Sequence, residues 1–362
     1  FKGAQKQPAI AQGTQPNILM DMGGSYKEVS SGAYTYTFAT VLPDGYDRNA
    51  THRVGGETSR EGRKYVANAT FDFVPSGAAV TVTRQVVALA SCNQCHDPLA
   101  LHGGSRRDPA LCVNCHNSQN VDPETGNTPD FKVMVHKIHR GANLPSVRDG
   151  KPYLIVGNAQ NVFDFSTIIF PQFGSGIGDV RNCTTCHGAP PAGMKAEDYA
   201  KLAPNADNYK NNPSRAACGA CHDQIDWATG KSTIKDRRDH PGGPQSNDAA
   251  CKSCHAADSG KEFDASVVGA HAIPEYSKQL KGLKVEIVSV TNTAPGQKPT
   301  VLFRATDKAG NVVPLPALNA VTFNVKGPTT DYQGLPVTEA AVLANLTGSD
   351  GRYVYNLTTA IP

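Results

Sequence analysis

The chain has 362 residues, of which 39% are apolar, with 34 glycines and 25 prolines. That length exceeds one ordinary domain, and the composition supports modest cores with much of the chain in turns. A formal charge of +3 without a basic tract gives nucleic-acid binding no support, and no apolar run approaches the roughly 18–20 residues of a membrane-spanning helix.

The opening "FKGAQKQPAIAQG" lacks the charged start and apolar centre of a signal peptide. The expectation is a chain that begins after a processed export signal, or a fragment. Up to about residue 90 the pattern alternates as in strands. "GAYTYTFAT" places Tyr34, Tyr36 and Phe38 on one face, and "ATFDFVP" and "AVTVTRQVVAL" behave likewise. Residues 1–90 therefore read as an N-terminal β domain.

From residue 91 cysteine takes over. All ten cysteines fall in five Cys-x-x-Cys-His motifs: Cys92/Cys95/His96, Cys112/Cys115/His116, Cys183/Cys186/His187, Cys218/Cys221/His222 and Cys251/Cys254/His255. This is the attachment signature of c-type haem: two thiols add to the vinyl groups, and the adjacent histidine becomes the proximal iron ligand. Disulfides would explain the cysteines but not the histidines. Zinc normally draws a second ligand pair from elsewhere, and thioredoxin-like redox pairs do not demand a following histidine. Five matches with no cysteine left over point to five covalent haems c.

Eleven histidines less five proximal ones leave six. Five of these, His102, His136, His139, His240 and His271, lie within or just after the motif-bearing stretch and are the expected distal ligands. His52, in a predicted strand upstream, reads as an ordinary side chain. His102 stands in "LALHGGS", whose glycines permit close backbone approach to a flat macrocycle. His136 and His139 stand in "FKVMVHKIHRG", a helical pattern in which positions three apart share a face, so one short helix can offer imidazoles to two haems. Methionine is the competing ligand, but Met20, Met22 and Met194 lie in poor contexts and Met134 reads as the apolar back of that helix. Two histidines per iron fill both axial positions, which favours electron transfer over catalysis at an open iron.

The first cysteines are spaced by 20, 71, 35 and 33 residues, so the motifs form no strict repeat. In the long gap, "KPYLIVG" and "FDFSTIIFP" are expected to pair as a hairpin. Arg106, Arg107, Arg237 and Arg238 are candidate partners for haem propionates. Trp227 is a candidate to pack on a haem face. Residues 91–280 thus read as a loop-rich pentahaem domain with short helices.

After about 282 strands return in "LKVEIVSVTNT", "TVLFRAT", "AVTFNV" and "GRYVYNLTT". The last parallels "GAYTYTFAT", so residues 281–362 are expected to repeat the N-terminal β domain. Because 68 residues separate Leu283 from Gly351 but only 31 precede Gly32, the first β domain is expected to lack its beginning. The second is expected to be truncated, with a further haem domain downstream. The expected fold is mixed, mostly β plus irregular, with β-barrel or sandwich-like domains flanking the haem domain.

"CNQCHDPLALHGG", "ALCVNCHN", "FKVMVHKIHRG", "RNCTTCHG", "ACGACHDQIDW" and "GAHAIP" together cover most of residues 91–275. In these segments the chain resembles the OmcA/MtrC family of decahaem outer-surface c-type cytochromes, of which it would form the first, pentahaem half. The resemblance implies haem attachment in the periplasm and display on the outer membrane or secretion, with a periplasmic location as the alternative. It also implies electron delivery to ferric minerals, metal chelates, flavins or other cytochromes, with an outer-membrane porin–cytochrome conduit as partner and terminal metal reduction as a further possibility. Some members carry a disulfide in their β domains, for which no cysteine is spare here. Two other classes remain open: a multihaem reductase of a small oxyanion such as nitrite at one open haem, and an adhesion module in which the β domains matter more than the haems.

Overall fold

The computed structural model describes residues 21, 23–42, 44–157, 160–171, 179–327, 329–330 and 337–361. The chain divides after His271 into two compact units. Among the described residues no helix is long and apolar enough to cross a membrane.

The first unit begins with two antiparallel hairpins, β1 (Ser25–Ser30) with β2 (Ala33–Thr37), and β3 (His52–Arg60) with β4 (Tyr65–Phe73). Of the predicted aromatic face, Tyr36 and Phe38 meet at 5.1 Å, and Tyr26 on β1 joins them 4.7 Å from Tyr36. The second hairpin seats a motif helix. Arg53 on β3 forms a two-pronged pair with Asp72 on β4 at 2.6 and 2.7 Å and donates to the Ala110 carbonyl at 3.2 Å. A Cβ on Gly55 would stand 2.6 Å from Leu111 Cδ1 and from Asn114 Nδ2, so only glycine admits this approach of strand to helix.

"AVTVTRQVVAL" does not form a strand. Val/Thr alternation favours extended chain, but a strand needs a ladder, and here the backbone partners lie in the motif-bearing region. Gln85 donates to Asn205 Oδ1 at 3.1 Å, the Asn205 amide donates to the Gln85 carbonyl at 3.0 Å, and the Val86 carbonyl accepts from His187. The expected hairpin in the long gap does form, between β5 (Leu154–Val156) and β6 (Val162–Asp164).

Apolar packing in the first unit is thin. Its buried cluster among the described residues is Ala88, Tyr199, Ala203 and Ala206, with Met194 packed against it. Three of these four are alanines, and the other large buried apolar side chains, among them Leu144 and Tyr153, lie outside this cluster.

The second unit has an ordinary core. An antiparallel sheet of order β13 (Thr347–Ser349), β14 (Arg352–Asn356), β10 (Thr300–Thr306), β9 (Lys284–Thr291) faces the pair β11 (Thr322–Val325) and β12 (Val337–Ala340). Phe303, Phe323, Tyr353 and Tyr355 interlock between them, with ring centroids 5.6–5.7 Å apart. This is the sandwich-like form of the expected fold; no barrel closes among the described residues.

The two β segments share a device beyond the sequence match. Gly32 and Gly351, each leading into its tyrosine strand, both take positive φ, 76° and 74°. Four residues on, Tyr36 donates to Asp21 at 2.6 Å, and Tyr355 donates to Glu339 at 2.8 Å. Each carboxylate also accepts two consecutive amides, Ala39 and Thr40 in the first case and Thr358 and Thr359 in the second. These stand seven and eight residues after the glycine both times. The surroundings differ: Tyr34 is 60% exposed, whereas its counterpart Tyr353 is 3% exposed.

Burial alone would raise the Glu339 carboxyl, but the hydrogen bonds from Thr358, Tyr355 and Thr359 outweigh it and hold it at about 2. A depressed carboxylate contributes stability that is present above the ordinary glutamate value and lost as pH falls toward 2. Glu339→Gln is expected to destabilise the second unit by about 1–3 kcal/mol. Faster hydrogen exchange at the Thr358 and Thr359 amides is the measurement that checks it.

Candidate haem-binding sites

The five motifs share one local fold. α1 (Leu89–Cys92), α2 (Pro109–Cys115), α4 (Arg215–Cys221) and α5 (Cys251–Cys254) end at or within a motif, and a single 3-10 turn, Cys183–Thr185, serves the third. In every case the motif histidine N–H donates to the carbonyl of the first cysteine, at 3.0 Å for His96, 2.9 Å for His116, 2.8 Å for His187, and 2.9 Å for His222 and His255. One helical turn places residues i and i+3 on the same side, which brings both thiols together and starts the histidine where the helix ends. Asp108 caps α2 and Ser214 caps α4 through their side chains. None of the ten cysteines is paired in a disulfide.

The thioether candidates differ in how far they are covered. Cys112 is buried, Cys95, Cys218 and Cys254 are exposed, and the other six are half-buried. Cys95 stands outside the helix of its motif. α1 stops at Cys92, so Cys95 stands beyond the helix in an exposed turn, its amide donating to the Cys92 carbonyl at 3.2 Å. The residue before Pro98 disfavours helical geometry, and Asn93 Oδ1 accepts from the Leu99 amide at 2.9 Å, so the chain turns away and leaves Cys95 at the surface. The protein thus offers this thiol little cover of its own. Cys95 is nonetheless close enough to the third motif to act electrostatically on Cys186.

Each motif histidine faces a second histidine. The ring centroids are 6.2 Å apart for His96 and His139, 5.9 Å for His116 and His102, and 6.2 Å for His187 and His136. They are 6.3 Å apart for His222 and His271 and for His255 and His240. One iron bound on both sides at about 2 Å, with about 1.1 Å from ligating nitrogen to ring centre, requires a separation of about 6.2 Å. The residues fit the group. The interplanar angle is 86° for His96 and His139, and 50°, 51°, 60° and 40° for the other pairs in the order given.

Second contacts fix which ring nitrogen is available. Nδ1 lies against a backbone carbonyl in His116 (Pro129, 3.0 Å), His139 (Val135, 2.8 Å) and His187 (Val86, 2.9 Å). The same holds for His240 (Gly243, 3.0 Å), His255 (Ala265, 2.8 Å) and His271 (Val267, 2.7 Å). A carbonyl only accepts, so Nδ1 carries the proton and Nε2 is left as the metal-binding atom. Burial lowers the pKa of His136 to about 4, with His187 and His139 adding to the effect. Burial is also the leading cause of the lowered values of His102, His116, His139, His187 and His222. Neutral imidazole is the ligand form.

α3 (Phe131–Arg140) is the helix expected from the sequence, capped by Asp130. It supplies His136 and His139 to two different motif histidines. A buried ion pair holds it in place: Lys137 Nζ stands 2.6 Å from Asp223 Oδ2, with the two side chains 14% and 6% exposed. Asp223, the residue after His222, also accepts from the Ser146 amide and hydroxyl at 3.0 and 2.5 Å. His271 follows α6 (Val267–Ala270), whose N-cap is Ser266. His102 has φ of 51°, and Gly103 and Gly104 follow at 73° and 89°. The turn itself therefore requires the glycines there.

Cysteines of different motifs stand near one another: Cys186 and Cys112 near Cys92, Cys221 near Cys183, and Cys251 near Cys218. Of the arginines singled out in the sequence, Arg106 pairs with Glu57 at 2.9 Å and Arg107 donates to the Gly104 carbonyl at 2.9 Å. Arg140 acts on both Cys221 and His222 and was not singled out, because its position at the end of α3 becomes meaningful only when α3 packs on α4. Tyr209 beside His187 (5.5 Å) and Phe170 beside His139 (5.7 Å) were also missed, having no sequence signal. His52 stacks on Tyr46 at 4.1 Å, and its Nε2 donates to the Asp47 carbonyl at 2.6 Å. Among the described residues, no cluster of three or more His, Cys, Asp or Glu side chains is arranged to hold a bare metal ion.

The family model for outer membrane cytochrome MtrC/MtrF-like, domains II/IV, matches residues 84–268, just over half of the chain. The chain belongs to this family. The MtrC/MtrF-like stretch opens just before the first motif and closes just before His271. The multiheme cytochrome MtrC of Shewanella baltica (strain OS185) is 26% identical over 377 residues, covering 94% of this chain and 47% of the relative. The chain thus spans about half the length of the curated relative it matches. Its fold is shared with the crystal structure of MtrC from Shewanella baltica OS185, at TM-score 0.53 and 22% identity over 94% of this chain and 51% of that one. It is shared also with the outer membrane decaheme cytochrome OmcA, at TM-score 0.59 and 24% identity over 92% and 48%.

Proposed function

We propose that this chain is the five-haem part of an outer-surface cytochrome that carries electrons to extracellular acceptors. The observation that carries the reading is that each of the five motif histidines has a second histidine opposite it, 5.9–6.3 Å away. In this reading the ten cysteines, the exposed Cys95 included, hold five haems c. His96, His116, His187, His222 and His255 are the proximal ligands, with His139, His102, His136, His271 and His240 as their respective distal partners. A bis-histidine c-type haem supplies a reversible one-electron centre of low potential with no position open to substrate.

The proximity of cysteines from different motifs supports a line of sites running from Cys112–His116 through Cys92–His96, Cys183–His187 and Cys218–His222 to Cys251–His255. The action of Cys95 on Cys186 supports the same link between the second and third sites. α3 ties those two together by giving each a ligand from one rigid turn. Arg140, close to Cys221 and His222, is the best-placed propionate partner near the fourth. The three-part division, 1–90, 91–280 and 281–362, is retained as the functional one, since the family match begins at residue 84.

Ferric minerals, metal chelates, flavins and partner cytochromes are the proposed acceptors, with an outer-membrane porin–cytochrome conduit as the proposed donor and the cell surface as the location. Membership of the family supports these assignments. A reductase of nitrite or a similar oxyanion would need one iron with a free face, and the five facing pairs speak against it. Intact mass combined with a haemochrome assay on chain matured in a host with c-type haem machinery is expected to give five haems, all low-spin. A count below five, or a high-spin fraction in the native protein, overturns the assignment.

A further inference from the structure

Trp227, the only tryptophan in the chain, stands where two neighbouring sites meet. On one side it covers the backbone between Cys218 and Cys221. A Cβ placed on Gly219 would come within 2.8 Å of the indole Nε1 and 3.5–3.6 Å of Cε2 and Cζ2. The motif position therefore tolerates nothing larger than glycine while the indole stays where it is. On the other side the indole meets His240 edge to face, with centroids 5.4 Å apart at 66°. His240 is opposite His255, the histidine of the next motif.

The segment carrying both residues is closed on itself. β7 (Ile225–Asp226) and β8 (Lys231–Ser232) pair as a short hairpin, the Gln245 amide donates to the Trp227 carbonyl at 2.8 Å, and the His240 amide donates to the Gly230 carbonyl at 2.9 Å. His240 is thus fixed along one edge by the Gly243 carbonyl and across one side by the indole. An imidazole with one such edge contact still has a free rotation about that edge, which a packed aromatic neighbour removes.

We propose that Trp227 is a positioning residue shared by the Cys218–His222 and Cys251–His255 sites, seated on the backbone of the first and setting the ring orientation of the distal histidine of the second. The proposal rests on the bis-histidine reading above. Its consequence is that the ligand-plane angle at the second site, and with it the low-spin signature and midpoint potential of the iron bound there, depends on the packing of the first.

The test uses holoprotein in which five haems and a fully low-spin spectrum have first been verified; failure of that check strikes the ligation reading and not this one. His240→Ala marks the signal of interest, as the low-spin electron paramagnetic resonance component that it removes. Trp227→Ala is expected to shift that component and its midpoint potential, or to turn that one haem high-spin, with the other four unchanged. Trp227→Phe keeps the edge-to-face contact and is expected to shift it less. Gly219→Ala leaves Trp227 and His240 in the chain but displaces the indole, and is expected to move the same component although the substitution lies in the other motif. The proposal is overturned if that component and its potential match the native protein in Trp227→Ala, or, should that variant not mature, in both Trp227→Phe and Gly219→Ala.

Discussion

His139→Ala is expected to yield a protein with its five haems still attached, one of them converted from low-spin to high-spin, because the thioether bonds come from cysteines that the substitution leaves alone. The affected iron is the one beside His96, which His139 faces at 6.2 Å. His136→Ala is expected to do the same beside His187, and the double variant should show two-fifths of its haem high-spin. Three residues apart on one short helix, the two histidines thereby report on different centres. Replacement by methionine in place of alanine should keep the centre six-coordinate but raise its potential, within the range of about 0.8 V over which axial ligands set haem potentials. Optical and paramagnetic resonance spectra of the ferric protein, with a redox titration, decide the matter. A low-spin spectrum in His139→Ala identical to that of the native protein removes His139 from the ligand set. His52→Ala serves as the silent control, since His52 is stacked on Tyr46 and hydrogen-bonded to the Asp47 carbonyl.

The second large effect is structural. Asp223→Ala is expected to destabilise the first unit by about 3–5 kcal/mol, the usual cost of leaving one member of a buried ion pair without its partner. Lys137 is then left without its partner where only 14% of the side chain reaches solvent, with the Tyr153 ring 5.1 Å away. The Ser146 amide and hydroxyl lose their acceptor at the same time. Since Lys137 lies between His136 and His139, loosening α3 disturbs two ligands together, so both irons should gain high-spin character before the other three as denaturant rises. Combining Lys137→Met with an apolar residue at 223 is expected to recover much of the lost stability, because the desolvation cost of both charges disappears. Denaturant midpoints for the two single variants and the double variant give the coupling directly; strict additivity would show that the pair is not a unit.

Much of the ligand chemistry was legible in the residues themselves. Cys-x-x-Cys-His is a local pattern, and one helical turn is enough to bring its three side chains together, so no knowledge of the fold is needed to read it. What the pattern does not carry is the cover around each thiol, which runs from the buried Cys112 to the exposed Cys95. The helix Phe131–Arg140 was equally legible, as was the value of two histidines three apart upon it. The strands of the second unit followed from alternation because each has a ladder; β10 and β14 also have a buried face, whereas β9 is exposed along its whole length. The same alternation misled at "AVTVTRQVVAL", where the chain is extended but spends its hydrogen bonds on Asn205 and on the ring of His187. Whether an extended segment becomes a strand depends on a neighbour that can lie a hundred residues away.

The residues alone thus pointed to c-type haem chemistry, through five Cys-x-x-Cys-His motifs and a sufficient stock of histidines, because covalent attachment is a contact of short range along the chain. Only the tertiary structure decided which histidine stands opposite which. Those partners are 14 residues apart for His102 and His116 but 51 apart for His136 and His187, and no periodicity links such distances. The same folding brought Asp223 beneath Lys137, Arg140 to Cys221 and Trp227 to His240. Contacts between segments distant in sequence are fixed by packing and desolvation in three dimensions, and the one-dimensional pattern carries no signal for them.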